Sequence, residues 1–145
     1  MFLFNPNFMI VKVLETFFFL SFLISYLMTI LINPGIPTRK YFIANFGPIN
    51  NKNTNLIKCS KCNIIVPKSF NITHCDDCQV CVMNYDHHCP WTGKCIGKYN
   101  LFPFYWFLIS LISYIFMCFF TLLMFLINLE ENKIQNRRKI LKKFI

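Results

Sequence analysis

The sequence predicts an α-helical membrane protein in which two transmembrane helices flank a small Cys-rich domain. Two observations lead to this fold class: a long apolar stretch lies toward each end of the chain, and the segment between them holds seven of the eight cysteines and all three histidines. A third is that only 14% of the 145 residues are charged. A soluble domain carries roughly 25% charged residues. This composition argues against an ordinary soluble enzyme, because too few charges are available to cover a water-facing surface.

The first apolar stretch runs from Phe8 to Ile32. As a helix it would be roughly 36 Å long, enough for a bilayer core of about 30 Å. A cleaved signal peptide is the alternative, but its apolar core would be only about 7–15 residues long and would end at a small-residue cleavage site. This stretch is longer and ends at Asn33-Pro34-Gly35, which stops a helix. We therefore predict a transmembrane helix over residues 8–32.

The second apolar stretch covers residues 102–129 and contains no charged residue. Tyr105 and Trp106 lie near its start, and such rings favour the membrane interface. We predict a second transmembrane helix over 102–129, followed by a basic tail over 130–145 that holds no further span.

The segment between the two stretches has two parts of different composition. Residues 33–57 read as a linker, whereas residues 58–101 hold the clustered cysteines and histidines. Hydrophobic periodicity in the second part is poor, so we expect metal ions, rather than a conventional core, to stabilise it. We find no internal repeat there beyond the recurring C-x2-C pairs.

The number of cysteines and histidines indicates zinc. Ten candidate ligands lie in this part: Cys59, Cys62, His74, Cys75, Cys78, Cys81, His87, His88, Cys89 and Cys95. A structural zinc site takes four Cys or His ligands, and C-x2-C is a common half-site. Two Cys3His sites would use eight of the ten and leave one cysteine and one histidine, the pair that nucleophilic catalysis needs. Spacing alone does not assign the ligands. A disulfide framework and a purely zinc-stapled binding module are the alternatives, but an odd number of cysteines interleaved with histidines disfavours disulfides.

The string Asp86-His87-His88-Cys89-Pro90-Trp91 resembles the DHHC protein S-acyltransferases. The similarity extends over about 43 residues of the segment. It includes Cys59-x2-Cys62, Pro67, His74-Cys75-x2-Cys78-x2-Cys81-Val82, Cys95-Ile96-Gly97 and Asn100. Asn33-Pro34-Gly35 also resembles the Asp-Pro-Gly motif of that family.

The resemblance implies a role for each candidate ligand. One zinc ion would be held by Cys59, Cys62, His74 and Cys81. The other would be held by Cys75, Cys78, His88 and Cys95. Cys89 would then be the nucleophile, with His87 as its base and Asp86 beside them. This assignment agrees with the count of one spare cysteine and one spare histidine.

The resemblance also implies a reaction and a location. Cys89 would take a fatty acyl chain from acyl-CoA, for example palmitoyl-CoA, and pass it to a cysteine of a membrane-associated protein substrate. The chain would be a multi-pass protein of the endoplasmic reticulum or Golgi bilayer, with the Cys-rich domain in the cytosol and no nucleic-acid partner. Because CoA carries phosphates, Lys94 and Lys98 are candidates for contacts with it; the alternative is that they are solvated lysines at an anionic membrane surface.

Several features depart from the family pattern. The resemblance implies at least four membrane spans, whereas two are predicted here, and Lys94 replaces the usual Asn before Cys95. We interpret the chain as a fragment, a truncated gene model or a degenerate paralogue. The alternative function is a truncated, inactive DHHC-like membrane scaffold that keeps the structural zinc sites. A zinc module that binds nucleic acid is disfavoured by the two flanking spans and by the unused Cys89 and His87.

Overall fold

The structure is a computed structural model that describes residues 6–38 and 56–143. Most of the linker predicted over residues 33–57 lies outside these ranges. The chain divides into two compact units, one formed by Leu23–Phe107 and the other by Met1–Phe22 with Leu108–Ile145.

Helix α1 covers Pro6–Leu31 and ends at the Asn33-Pro34-Gly35 sequence. Proline has no amide hydrogen and disfavours helical backbone in the residue before it, so the helix stops there. The Oδ1 atom of Asn33 accepts hydrogen bonds from the backbone N–H groups of Gly35 (2.9 Å) and Ile36 (2.8 Å). Gly35 has a φ of +112°, which residues other than glycine rarely adopt. The segment after α1 is therefore a defined turn.

Helix α2 covers Leu101–Lys143 and is 43 residues long, or about 65 Å. Pro103 is tolerated because it lies in the first turn, where amide hydrogens have no intrahelical partner. The helix does not end at residue 129 but continues through the basic tail, since that tail contains no proline or glycine and is made mostly of good helix formers. Lys133 and Glu130 add an ion pair of 2.8 Å one turn apart on its surface.

Both helices are long and apolar enough to cross a membrane by length and composition. Many large apolar side chains of both helices are exposed, such as Phe17 of α1 and Ile112 and Phe116 of α2. In the unit that holds the first half of α1, Tyr114 packs against Phe19 and Phe22, with ring centroids 5.5 and 6.3 Å apart. Helices that are apolar on every side are typical of membrane spans or deeply buried core helices.

The Cys-rich part folds into three antiparallel β-hairpins. The first pairs β1 (Leu56–Cys59) with β2 (Ile64–Pro67), and a short 3-10 helix, Lys68–Phe70, follows it. The second pairs β3 (Ile72–Cys75) with β4 (Val80–Met83). The third pairs β5 (His87–Cys89) with β6 (Lys94–Ile96). These strands were not predicted, because each is only three or four residues long and shows no regular alternation of apolar and polar residues.

The turn of each hairpin contains one residue in the left-handed conformation. These residues are Asn63 (φ +51°), Gln79 (φ +55°) and Gly93 (φ +59°). Asn and Gly adopt this conformation more readily than other residues, which favours a tight turn after the cysteine-containing segment.

The apolar core beneath the hairpins is small. Cys75, Val82 and Cys95 are buried together, and Ile36 and Tyr85 are among the side chains packed against them. Two of these three core residues are cysteines that also lie in the clusters described below. Outside the metal-binding clusters, the buried apolar side chains of the hairpins are few: Val66, Val82, Met83, Cys89 and Ile96.

The turn after α1 packs closely against the second hairpin. The N–H of Met83 donates to the carbonyl of Gly35 at 2.9 Å, and the carbonyl of Met83 accepts from the N–H of Lys98 at 3.0 Å. A Cβ atom on Gly97 would lie 2.6 Å from Cγ1 of Val82 and 2.7 Å from the carbonyl oxygen of Pro34. Only glycine fits at position 97 without moving its neighbours.

Candidate zinc centres and active site

The first cluster of metal-binding side chains is formed by the first two hairpins. Its members are Cys59, Cys62, His74 and Cys81. The Nδ1 atom of His74 lies 3.2 Å from Sγ of Cys62, 3.8 Å from Sγ of Cys59 and 3.9 Å from Sγ of Cys81.

The second cluster is formed by the second and third hairpins. Its members are Cys75, Cys78, His88 and Cys95. The Nδ1 atom of His88 lies 3.2 Å from Sγ of Cys78 and 3.8 Å from Sγ of Cys75. The structure thus brings together the same two sets of four side chains that the family resemblance implied.

The geometry of both clusters fits zinc. With Zn–S bonds of about 2.3 Å and Zn–N bonds of about 2.0 Å, tetrahedral ligand atoms lie about 3.5–3.8 Å apart. The measured separations, from 3.2 to 3.9 Å, bracket this range. In each cluster all four ligand atoms lie within 4.8 Å of one another. Three thiols and one imidazole are also the donor set that structural zinc sites use.

The two clusters are built in the same way. In each, the turn of one hairpin supplies a C-x2-C pair, Cys59 with Cys62 or Cys75 with Cys78. The following hairpin supplies a histidine and a cysteine that face each other across its two strands. These opposed pairs are His74 with Cys81 and His88 with Cys95. Each cluster therefore connects one hairpin to the next.

An internal repeat of 14 residues underlies this construction. The pattern H-C-x2-C-x2-C-x3-Y begins at His74, and H-C-x2-T-x2-C-x3-Y begins at His88. The expectation of no repeat beyond the C-x2-C pairs was therefore wrong. In the second copy Cys89 occupies the position of Cys75, and Thr92 occupies the position of Cys78. The third hairpin thus has the turn of a metal half-site in which one of the two thiols is missing.

Strand alternation explains why adjacent residues have different neighbours. Successive side chains of a strand point to opposite faces. In β3, His74 joins the first cluster while Cys75 joins the second. In β5, His88 joins the second cluster, so His87 and Cys89 share the opposite face.

Cys89 lies outside both clusters. Its side chain is 3% exposed. Among residues 6–38 and 56–143, the only other cysteine outside the clusters is Cys118, which lies in α2. All eight cysteines are free thiols.

His87 is oriented by two contacts. Its Nδ1 atom lies 3.1 Å from Oδ2 of Asp86, and its ring meets the ring of Phe104 edge to face, with centroids 5.1 Å apart. A carboxylate at Nδ1 favours the tautomer in which the proton lies on that nitrogen. The Nε2 atom is then left as a base.

Burial and hydrogen bonding shift the pKa values of two cluster thiols in opposite directions. Burial raises the pKa of Cys81 to about 12. Burial also acts on Cys75, but hydrogen bonds from the backbone of Cys78, the side chain of Cys95 and the backbone of Asp77 outweigh it and lower the pKa to about 7. Such backbone N–H groups stabilise the thiolate, and the thiolate is the form of cysteine that binds zinc.

A carboxylate lies beside the distal nitrogen of His74. That nitrogen, Nε2, is buried, and Oδ1 of Asp76 lies 3.4 Å from it. Asp76 is itself paired with Lys61 of the first hairpin turn. Carboxylates in this position orient zinc-ligating histidines. Sequence reasoning did not select Asp76, although its position between two cysteines of a C-x2-C pair was visible.

The two lysines considered for CoA binding have different surroundings. Nζ of Lys94 donates to the carbonyl oxygens of Ile30 (2.6 Å) and Ile32 (2.8 Å) at the end of α1. Lys98 is exposed, and its Nζ lies 5.4 Å from the centroid of the Tyr99 ring. Lys98 therefore stays a candidate, whereas the ammonium of Lys94 is already engaged.

The family comparison agrees with this site. A model of the family described as DHHC palmitoyltransferase matches residues 52–145. The chain belongs to the DHHC palmitoyltransferase family. The matched range contains both four-membered clusters and the Asp86–Cys89 tetrad that gives the DHHC family its name.

Curated DHHC relatives are similar over a short segment. Human palmitoyltransferase ZDHHC9 is 46% identical over 69 residues, which are 48% of this chain and 18% of that protein. Human ZDHHC14 is 44% identical over 63 residues, 43% of this chain and 12% of the relative. ZDHHC18-A of Danio rerio is 42% identical over 76 residues, 50% and 16% respectively. The matched segment thus spans less than a fifth of each of these relatives.

Proposed function

We propose that this protein is a protein S-acyltransferase that carries the fatty acyl chain on Cys89. The observation that supports this most strongly is the separation of Cys89 from the zinc-type clusters. Of the ten candidate ligands, all except Cys89 and His87 belong to two complete sets of four. Cys89 remains a thiol with His87 on the same strand face, and His87 is held by Asp86.

The first half-reaction would transfer the chain to the protein. Nε2 of His87 accepts the thiol proton of Cys89, and the sulfur attacks the carbonyl carbon of fatty acyl-CoA. A new C–S bond forms to Cys89, and the bond to the CoA sulfur breaks. The CoA thiolate leaves and takes the proton back from the imidazolium.

The second half-reaction would transfer the chain onward. The thiol of a substrate-protein cysteine loses its proton to His87 and attacks the carbonyl carbon held on Cys89. A new C–S bond forms to the substrate sulfur and the Cys89–acyl bond breaks. The Cys89 thiolate then takes the proton back from the His87 imidazolium, which restores the thiol. Both steps exchange one thioester for another, so no oxidant, reductant or external energy source is needed. This scheme predicts ping-pong kinetics.

The eight cluster residues would hold two zinc ions with a structural role. Each set supplies four protein ligands, which completes a tetrahedral structural site. The ions would join the three hairpins and so define where β5 presents Cys89. The catalytic proton transfers would be carried by His87, with Asp86 holding its imidazole in the required tautomer.

The apolar helices α1 and α2 would place this site at a lipid bilayer. Transfer of a fatty acyl chain from water into the bilayer is favourable by about 0.8 kcal/mol of free energy for each CH2 group. A site at the bilayer surface therefore avoids extracting the chain into water. We place the Cys-rich domain in the cytosol of a multi-pass protein of the endoplasmic reticulum or Golgi. The eight free thiols and the acyl-CoA donor both suit the cytosol, which is a reducing compartment. The acceptors would be membrane-associated proteins with accessible cysteines.

Acyl-enzyme formation tests the proposal directly. The detergent-solubilised chain is incubated with a labelled palmitoyl-CoA analogue beside Cys89→Ser and His87→Ala, and zinc content is measured for each. Cys118→Ser is the matched control, because Cys118 is the other cysteine outside the clusters. We expect hydroxylamine-sensitive label in the parent and in Cys118→Ser, none in Cys89→Ser, and two zinc ions in all of them.

Two outcomes would contradict the proposal. Label that persists in Cys89→Ser would show that another residue is modified. Absence of label in a parent chain that still binds two zinc ions would favour an inactive, zinc-folded membrane scaffold.

A further inference from the structure

Lys94 connects the hairpin that carries Cys89 to the end of helix α1. Its ammonium group donates hydrogen bonds to the carbonyl oxygens of Ile30 at 2.6 Å and Ile32 at 2.8 Å. More than sixty residues separate the lysine from these carbonyls in sequence. This contact is therefore one of those that join two distant parts of the chain.

The end of a helix is a suitable acceptor for a cation. The last carbonyl groups of a helix have no intrahelical hydrogen-bond partner and carry the negative end of the helix dipole. Ile30 and Ile32 lie at and just beyond the last turn of α1, which ends at Leu31. The ammonium of Lys94 both satisfies these carbonyls and balances their partial charge.

Lys94 is also the cross-strand partner of Cys89. The two residues face each other in the β5–β6 pair, and such partners have Cβ atoms about 4.5–5.5 Å apart on the same face of a hairpin. The opposite face carries the pair His88 and Cys95, which belongs to the second cluster. The hairpin is thus held on one face by the cluster and on the other by the end of α1.

Asn100 makes a second connection to the same turn of α1. Its side chain is completely buried, and Nδ2 donates to the carbonyls of Thr29 (3.3 Å) and Cys95 (3.0 Å). Its Oδ1 accepts from the N–H of Gly97 at 2.9 Å. Asn100 attaches the strand end after Cys95, whereas Lys94 attaches the position directly opposite Cys89.

We propose that Lys94 is a positioning residue for Cys89, which holds the reactive hairpin against the last turn of α1. This inference rests on the proposed acyl transfer through Cys89. If α1 spans the bilayer, the contact fixes the sulfur beside the helix end at which an acyl chain would emerge from the lipid. The main alternative for Lys94, binding of a CoA phosphate, gives a different kinetic result.

The test compares Lys94→Met and Lys94→Arg, with Lys98→Met as the matched control for loss of a nearby lysine. Single-turnover acylation of Cys89 is measured over a range of palmitoyl-CoA concentrations, together with zinc content. We expect Lys94→Met to lower the saturating rate roughly 10- to 100-fold, as misplacement of a reacting group does. The concentration for half-saturation and the two bound zinc ions should be retained. Lys94→Arg, which keeps the cationic donors, should recover most of the rate, and Lys98→Met should not share the defect.

A second readout does not depend on acyl transfer. Cys89 is 3% exposed, so its alkylation by iodoacetamide reports how firmly the hairpin is held. We expect alkylation to be faster in Lys94→Met than in the parent and in Lys94→Arg, with zinc retained. If the parent chain is not acylated at all, the proposed function fails, while this readout still tests the role of Lys94.

Several results would overturn the inference. Unchanged acylation and alkylation in Lys94→Met would show that the contact does not position Cys89. A raised half-saturation concentration with an unchanged saturating rate would instead assign Lys94 to CoA binding. Should Lys94→Met lose zinc, the smaller change Lys94→Gln, which keeps a hydrogen-bond donor, replaces it. Loss of zinc in both would show that Lys94 maintains the whole domain rather than Cys89.

Discussion

His87 and His88 are neighbours in β5, yet their imidazole rings lie in different surroundings. Nδ1 of His88 lies 3.2 Å from Sγ of Cys78 in the second cluster. Nδ1 of His87 lies 3.1 Å from Oδ2 of Asp86, outside both clusters. Because strand residues alternate between faces, one histidine faces the metal-type site and the other shares a face with Cys89.

The two histidines should therefore respond differently to the same substitution. We expect His88→Ala to bind one zinc ion fewer and to lose acylation through disruption of the second cluster. His87→Ala should keep two zinc ions and lose about 10²- to 10⁴-fold in the rate of Cys89 acylation, which is the usual contribution of a general base. Zinc analysis and single-turnover acylation separate the two effects. Equal zinc loss in both variants would contradict the assignment of His87 to catalysis.

Removal of metal should unfold the hairpins but not the long helices. Few apolar side chains are buried in the hairpins outside the clusters, and the apolar cluster beneath them includes two cluster cysteines, Cys75 and Cys95. Small metal-stabilised domains lose their fold without the ion. We expect chelation to make residues 56–100 sensitive to protease while the far-UV helical signal of α1 and α2 persists.

The control for chelation is reconstitution. Addition of Zn²⁺ should restore protease resistance, whereas Mg²⁺, which prefers oxygen ligands, should not. Full protease resistance in a chain shown to be free of metal would contradict a structural role for zinc.

The 14-residue repeat predicts that the third hairpin can be converted into a metal half-site. Thr92→Cys would complete the C-x2-C pair with Cys89, as Cys78 does with Cys75. We expect this variant to bind additional thiophilic metal, such as Cd²⁺ or Co²⁺, and to lose acylation reversibly while metal is present. Metal content and Co²⁺–thiolate absorption under reducing conditions measure this.

Thr92→Ser is the matched control for Thr92→Cys. Serine has the size of cysteine without its affinity for soft metals, so this variant should bind two metal ions and remain acylated. If Thr92→Cys binds no additional metal and is acylated like the parent, the third hairpin does not share the geometry of the other two.

Two glycines should differ in their tolerance of a side chain. A Cβ on Gly97 would lie 2.6 Å from Cγ1 of Val82 and 2.7 Å from the carbonyl of Pro34, so Gly97→Ala requires backbone movement. We expect the free energy of unfolding to fall by about 1–3 kcal/mol, the usual cost of overpacking. Thermal unfolding of the zinc-loaded chain in detergent measures it.

Gly93 provides the comparison for Gly97. A Cβ there would meet no atom within 4 Å, but the φ of +59° is left-handed. Asparagine tolerates this conformation, so Gly93→Asn should be close to neutral. A larger loss of stability in Gly93→Asn than in Gly97→Ala would contradict the packing seen around Gly97.

The extent to which the site was predictable differed among its residues. The count of ten ligand-type residues indicated two zinc sites and one spare pair, because zinc sites take four ligands. Spacing did not assign them, since His74 and Cys75 are adjacent but lie in different clusters. Their separation follows from β3, a strand too short to be recognised from hydrophobic periodicity. The roles of Cys89, His87 and Asp86 came from the family resemblance and stay proposals here.

The sequence did not show that the two lysines beside the site have different surroundings. Lys94 and Lys98 both flank Cys95 and were both candidates for CoA contacts. The structure engages Lys94 with carbonyls at the end of α1 and leaves Lys98 exposed. Asn100, which was noted only as part of the family motif, is completely buried and joins three backbone groups. Contacts made across more than sixty residues leave no local pattern from which they could be predicted.

The sequence by itself determined the properties that depend on composition and on local order: two long apolar helices, a Cys-rich segment between them, and ligands sufficient for two zinc ions. The tertiary structure decided which side chains share a face. Three short hairpins separate His87 from His88 and His74 from Cys75, and they place Lys94 opposite Cys89 and against the end of α1. The reason is that helix formation and ligand number depend on residues near in sequence, whereas strand register and helix-end contacts arise only when distant segments pack together.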